Sequence, residues 1–189
     1  MKTSKVRIIG GKWRGRALEF PVNAKQLRPT PGRIRETLFN WLANKIDGAR
    51  CLDLYAGSGA LGVEALSRGA AEAVFVEADR STCQQLKKNL VRFGDASKIY
   101  AMDARRFVRQ IGGNWDIIFL DPPYRHGMLI EILDLLDKQE CLVRGGLVYI
   151  EAERELGQPA LPTGWRYIRN KHAGQISYLL AAGNEDVEE

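Results

Sequence analysis

The sequence is short of the residues that build metal centres and disulfide frameworks. Its two histidines, His126 and His172, are isolated, and its three cysteines, Cys51, Cys83 and Cys141, lie far apart with no CxxC pair. An odd, dispersed set of thiols excludes a disulfide scaffold and offers no zinc-ligand spacing. Buried reduced cysteines and no metal are expected. Long apolar runs are missing as well: nothing approaches the roughly 20 residues of a membrane span. The leading "MKTSKVRIIGGKWRG" lacks the apolar stretch of a secretion signal. A cytoplasmic protein is expected, with a monomer as the default state. The last scarcity is local. In the first 35 residues Glu19 is the one acid, against ten lysines and arginines.

What is present suits one domain of 189 residues with a proper core, 45% hydrophobic and 27% charged. The net charge of +5 conceals an asymmetry, because residues 36–189 carry 18 basic and 22 acidic side chains. Positive charge gathered into one segment is the footprint of a polyanionic partner. Taken alone, a charge run is more often a solvated arm. The terminal "NEDVEE", residues 184–189, is polar and acidic and is expected to be disordered.

Local patterns give the order of elements. "KVRII" and "KWRGRALEF" flank Gly10-Gly11, which predicts a β-hairpin with a tight glycine turn. "TPGRIRETLFNWLANKI" predicts a helix with Thr30 as N-cap and Pro31 at its first position. Ile34, Leu38, Trp41, Leu42 and Ile46 form its apolar face. From residue 50 strands and helices alternate: "RCLDLYA", a helix over 60–67, "AVFVEA", a helix over 80–93, "KIYAM", a helix around Phe107, "DIIFL", a helix near 128–137, and "GLVYIEA". That alternation predicts a doubly wound α/β sheet with parallel central strands. "WRYIRNK" and "QISYLLA" are too close for a crossover helix and predict a closing antiparallel hairpin.

"LDLYAGSGALG" places Gly57, Gly59 and Gly62 at GxGxxG spacing where a strand turns into a helix. In that setting the backbone can approach a nucleotide-like ligand closely. Glu77 ends the next strand, where an acid can accept hydrogen bonds from both hydroxyls of a ribose. Asp103-Ala104 follows the third strand, placed for an adenine edge. Asp53, four residues before Gly57, would repel a pyrophosphate but suits a positively charged ligand. These features favour S-adenosylmethionine over NAD. A carboxylate that merely caps the turn's own N–H groups is the rival reading of Asp53.

The fourth parallel strand runs into "DPPYRHG". Pro122 and Pro123 fix their own φ angles and push their predecessors toward extended geometry. The Asp121 carboxylate and Pro122 carbonyl are thereby held on a stiff segment, with the ring of Tyr124 at its rim. An exocyclic amine on a nucleobase is a poor nucleophile that gains positive charge as it attacks a methyl group. Two acceptors on its N–H bonds favour that charge over the ground state, and an aromatic face holds the base by stacking.

Together "LDLYAGSGALGVEA", "VFVEAD", "DPPY", the "RIIGGKWRGR" hairpin and "RPTPGRIRETLFNWL" resemble the bacterial 16S ribosomal RNA guanine-N2 methyltransferases, over nearly the whole chain. The resemblance implies a seven-stranded class I methyltransferase sheet over residues 30–183, preceded by a basic hairpin arm over 1–29. It implies that Asp53, Ala56, Gly57, Ser58 and Gly59 cradle the methionine part of S-adenosylmethionine. Glu77 would take the ribose, Asp103 and Ala104 the adenine, and Asp121, Pro122 and Tyr124 the target amine. In the family the segment matching Arg28 to Asn40 closes over the methionine end, which makes Thr30, Arg33 and Arg35 candidates there. Lys12, Arg14 and Arg16 would neutralise phosphates of the 16S RNA within small ribosomal subunits. Arg125 and Lys171 would hold the phosphate of a flipped guanine. The competing readings are adenine-N6 or another amine of nucleic acid, a protein glutamine (whose enzymes typically carry Asn at the position of Asp121), and a non-catalytic RNA-binding assembly factor.

Overall fold

The computed structural model describes residues 3–21, 30–123 and 127–184. Strands β1 (Thr3–Arg7) and β2 (Ala17–Pro21) pair antiparallel, with Arg7 opposite Ala17. Their connection is longer than the two-residue glycine turn the sequence predicts. It runs from Ile8 to Arg16 through a single 3-10 turn, Gly11–Trp13, and is closed by Ile8 N–H donating to Arg16 O and Gly15 N–H donating to Ile8 O. Gly10-Gly11 serves a different purpose. Gly11 sits at φ +75°, and a Cβ there would lie 1.7 Å from the Ser67 carbonyl oxygen. The glycines let the loop press onto the end of a helix, a close approach that no side chain permits.

Helix α1 spans Gly32–Trp41. Thr30 does not cap it, contrary to expectation: Pro31 holds the N-cap position, and the Thr30 hydroxyl donates instead to the buried Glu151 carboxylate at 2.5 Å. The hydroxyl's hydrogen goes to a charge-assisted bond with a carboxylate, and the helix begins beyond Pro31 without a side-chain cap. Ile34, Leu38 and Leu42 face the core as expected, and Trp41 stacks on Tyr178 with ring centroids 5.5 Å apart.

Seven strands follow: β3 (Arg50–Asp53), β4 (Glu72–Glu77), β5 (Ile99–Ala101), β6 (Trp115–Leu120), β7 (Leu142–Glu153), β8 (Arg166–Ala173) and β9 (Ile176–Ala182). They form one sheet in the order β5-β4-β3-β6-β7-β9-β8. The first five pair in parallel, which requires crossover connections. Helices α2 (Ala60–Ser67), α3 (Arg80–Phe93), α4 (Ala104–Gln110) and α5 (Met128–Lys138) lie in four of the connections that follow β3. The closing hairpin is antiparallel as predicted. Its second strand, β9, inserts between β7 and β8.

Side chains alternate between two apolar layers. Cys51, Phe75, Ile117, Phe119, Leu147 and Tyr149 pack beneath α1, α2 and α3. Leu52, Val74, Ile118, Leu120, Val148 and Ile150 pack beneath α4 and α5. The hairpin, expected to be a segment of its own, contributes Ile8, Trp13 and Leu18 to the first layer. Trp13 lies 5.1 Å from Phe93 of α3. Strand order reverses between β3 and β6, and at such a point an open α/β sheet leaves a crevice beyond the strand ends.

Candidate active site

The crevice is lined by carboxylates. Asp53 ends β3, Asp121 follows β6, and Glu151 lies near the end of β7, on three adjacent strands. Cys51 and Asp53, Phe119 and Asp121, and Tyr149 and Glu151 each stand two residues apart. Strand alternation therefore turns all three acids toward the layer beneath α1 and α2.

Asp53 is buried, and its Oδ2 accepts the Gly62 N–H at 2.9 Å. Gly62 is the third residue of α2, one of the first-turn donors that has no intrahelical partner. The N-cap residue, Gly59, has no side chain to offer, so the preceding strand supplies the acceptor. The turn-capping role of Asp53 is thus real. Burial pushes its carboxyl up to about 7; the Gly62 bond opposes that rise, and the charge of Glu77 adds to it.

Residues 56–59 make the tight turn from β3 to α2, with the Gly59 N–H donating to Ala56 O at 2.6 Å. Gly59 sits at φ +76°, and a Cβ there would meet Leu86 at 2.4 Å, so neither backbone nor space admits a side chain. Ser58 is buried within the turn. Glu77, at the end of β4, braces it: Oε2 accepts the Gly57 N–H at 2.9 Å and Oε1 the Asp79 N–H at 2.8 Å. Each oxygen keeps a second lone pair for a ligand hydroxyl. Asp103 is the N-cap of α4 and accepts from the N–H groups of Arg105 and Arg106. Its carboxyl is shifted below the usual range: burial opposes the shift, but hydrogen bonds to Arg105 and Arg106 and the Arg105 charge outweigh it. Ala104 begins that helix, so its N–H has no intrahelical partner.

Asp121 keeps partial access to solvent and has no hydrogen-bond partner among the described residues. Its proton affinity is pushed well above the ordinary carboxylate range, by burial first, then by the charges of Glu151 and Asp53. Pro122 beside it is buried. Tyr124 and Arg125 lie outside the described residues. Glu151, which the sequence reading passed over, accepts from Thr30 Oγ1 and from Tyr149 O–H at 2.9 Å. Burial raises its carboxyl too, against the lowering effect of those two bonds. The signal was available: an acid ends an apolar strand in "GLVYIEAE", as Asp53 does in β3.

A crevice whose carboxylates raise one another's proton affinity favours a cationic ligand and disfavours a pyrophosphate. The family described as conserved hypothetical protein 95 matches residues 6–182. The chain is 47% identical to the Ribosomal RNA small subunit methyltransferase D of Escherichia coli K12, over 98% of its own length and 96% of the relative's. The protein of that name from Haemophilus influenzae is 39% identical, over 93% and 92%. The chain belongs to the small-subunit ribosomal RNA methyltransferase D family. The solved structure of yhhF from Escherichia coli superimposes with a TM-score of 0.89 at 45% identity, covering 97% of this chain and all of that one. The seven-stranded methyltransferase sheet is thereby established for this member of the family.

In this family member the basic hairpin docks away from the crevice. Trp13 N–H donates to Ser67 Oγ, and Arg16 bonds the Arg92 carbonyl and lies over Phe93. Ser67 and Arg92 sit at the C-terminal ends of α2 and α3, whereas the glycine turn is at the start of α2. An eight-residue helix spans about 12 Å, so Lys12, Arg14 and Arg16 are exposed at the far end of that helix from Asp53. Lys171 is nearer. It stands opposite Tyr178 of β9, which stands opposite Glu151 of β7, about 10 Å in all.

A second acid missed by the sequence reading is Glu64, fully buried in α2. It accepts the backbone N–H groups of Ile9 and Gly10 and pairs with Arg35 of α1 and with Arg68. Arg35 also donates to the carbonyls of Thr30 and Arg7. Hairpin, α1 and α2 are locked together here, which makes Arg35 a structural residue of the segment beside the crevice. Arg33, its neighbour on α1, is exposed.

Among the described residues no group of histidine, cysteine and acidic side chains could hold a metal ion, and no helix is long and apolar enough to cross a membrane.

Proposed function

We propose that the protein methylates the exocyclic N2 amine of a guanine in 16S ribosomal RNA, using S-adenosylmethionine, and acts as a cytoplasmic monomer on assembled or partly assembled small subunits. Family membership supports ribosomal RNA methylation. The observation that carries the chemistry is a recessed Asp121 carboxylate, without a hydrogen-bond partner among the described residues, abreast of the glycine turn in a crevice lined by acids. The donor set fits the cofactor: Asp53 and the backbone of residues 56–59 for the methionine part, Glu77 for the ribose, Asp103 and Ala104 for the adenine.

When bound, S-adenosylmethionine supplies an electrophilic methyl group on a sulfonium. Its positive charge would favour the ionised form of carboxylates whose proton affinity burial raises. Asp121 and the Pro122 carbonyl then accept the two N–H bonds of the amine and orient its lone pair. Attack by nitrogen would form the N–C bond as the S–C bond parts with its electron pair left on sulfur, and positive charge would grow on nitrogen between the Asp121 and Pro122 acceptors. Their attraction is greater for that charge than for the neutral amine, which lowers the barrier. The excess proton then passes to Asp121, whose raised proton affinity suits it to receive one, and on to water. Tyr124 would stack on the base. Lys171 and Arg125 would meet its phosphate, and Lys12, Arg14 and Arg16 a separate stretch of RNA backbone.

Labelled-methyl transfer to small subunits, naked RNA and DNA, followed by nucleoside mass mapping, tests the reading. N2-methylguanosine in 16S RNA is expected, with small subunits preferred. A label on adenine, on DNA or on protein would reverse it.

A further inference from the structure

We propose that Glu151 is a specificity-determining residue of this site, accepting the N1–H of the target guanine while Asp121 and Pro122 hold the neighbouring N2 amine. The inference rests on the guanine-N2 reading and deepens it.

Three observations carry it. First, β6 and β7 pair in parallel with Leu120 opposite Ile150, so residues 121 and 151 stand abreast on neighbouring strands and face the same way. Strands are about 4.8 Å apart, which sets the two carboxylates side by side. Second, Glu151 is fixed and not free to swing. Both Thr30 and Tyr149 donate to its Oε1. Third, its other oxygen is available. Oε2 has no hydrogen-bond partner among the described residues, yet no buried side-chain oxygen or nitrogen there is without one. Oε2 therefore retains contact with open space although the residue as a whole is only 3% exposed.

An ionised carboxylate is an acceptor only. Guanine presents two adjacent donors on one edge, N1–H and the N2 amine. Adenine and cytosine each present an amine beside an unprotonated ring nitrogen, which is itself an acceptor. A row of acceptors from Asp121 and Glu151 thus matches guanine and sets lone pair against lone pair for the other two bases. Mismatch between buried polar groups is the kind that sites reject most strongly. Removing electron demand at N1–H also enriches the amine: a carboxylate drawing on that hydrogen pushes density through the ring toward N2.

The test uses small subunits reconstituted with the mapped nucleotide as guanine, 2-aminopurine or 2,6-diaminopurine. Both analogues keep the 2-amine but carry an unprotonated N1. The wild-type protein is expected to favour guanine over either by on the order of a hundredfold or more in kcat/KM. Glu151→Gln keeps an oxygen for Thr30 and Tyr149 and gains an amide N–H that can donate to N1. It should lose activity on guanine and gain on the analogues, so that the ratio collapses, with cofactor affinity within about twofold of wild type. Equal use of guanine and 2-aminopurine by the wild-type protein overturns the proposal, and needs no variant to fold. An unchanged ratio in Glu151→Gln, or loss of cofactor binding as its main defect, overturns it too. Failure of the underlying function is distinguishable, because it is seen earlier, as methyl label mapped to a base other than guanine.

Discussion

Asp53→Asn should change how stability depends on pH. Asp53 is buried and its carboxyl titrates at about 7 in the fold, against an ordinary 3.8. A raised carboxyl means the folded state binds the extra proton. As pH climbs through the ordinary value, the unfolded chain ionises and the fold does not. Stability then falls until the folded carboxyl ionises as well. The difference of about three pH units corresponds to about 4 kcal/mol, lost between about pH 4 and pH 7 and constant above that. Asparagine has no such titration and keeps an oxygen for the Gly62 N–H. Its buried NH2 group adds a cost that does not vary with pH. Urea unfolding at intervals from pH 4 to pH 8, without ligand, should show the wild-type curve falling relative to the variant's by a few kcal/mol. Comparing the two proteins cancels the groups that do not interact with Asp53, among them Asp79 and Asp103, which are shifted the opposite way. S-adenosylmethionine should recover more of the loss at pH 8 than its neutral thioether product does. Parallel curves for the two proteins would refute the reasoning, because the crevice would then hold its acids without electrostatic cost and would have no preference for a cation.

Glu64→Gln removes the carboxylate that pairs with the buried Arg35. Urea unfolding should show a loss of about 3–5 kcal/mol, much of it recovered when Arg35→Met is added. Glu77→Ala should weaken S-adenosylmethionine binding by tenfold or more in calorimetric titration, since bonds from ribose hydroxyls to a charged acceptor contribute about 1.5–3 kcal/mol each. Lys12→Glu with Arg14→Glu should lower the slope of log affinity for small-subunit RNA against log salt by about one for each phosphate no longer neutralised, with cofactor affinity unchanged. A slope that does not move would remove the hairpin tip from the RNA interface.

Much of the architecture was legible from local periodicity. Helix α3 begins at Arg80 behind the Asp79 cap and ends at Phe93 before Gly94 at φ +73°, at the bounds the sequence predicts. The strands carrying Asp53 and Glu77, and the one running into Asp121, sit where their apolar patterns put them, because alternation and glycine turns are properties of a few consecutive residues. The misses share a different cause. Thr30 reads as a helix cap, yet Pro31 holds that place and the Thr30 hydroxyl donates to Glu151, 121 positions away. Gly10-Gly11 reads as a turn until the end of α2 is seen pressing on it.

The sequence by itself determined the alternation of strands and helices, the glycine turn, the stiff Asp-Pro-Pro segment and the imbalance of charge, all of them short-range features. Only the tertiary structure decided that β6 lies between β3 and β7, and so that Asp53, Asp121 and Glu151 share one crevice. Only it placed the basic hairpin at the opposite end of α2 and buried Glu64 between two arginines. Pairing across a sheet joins residues far apart along the chain, and the energy that selects it depends on the packing of whole layers. No window of neighbouring residues contains that information.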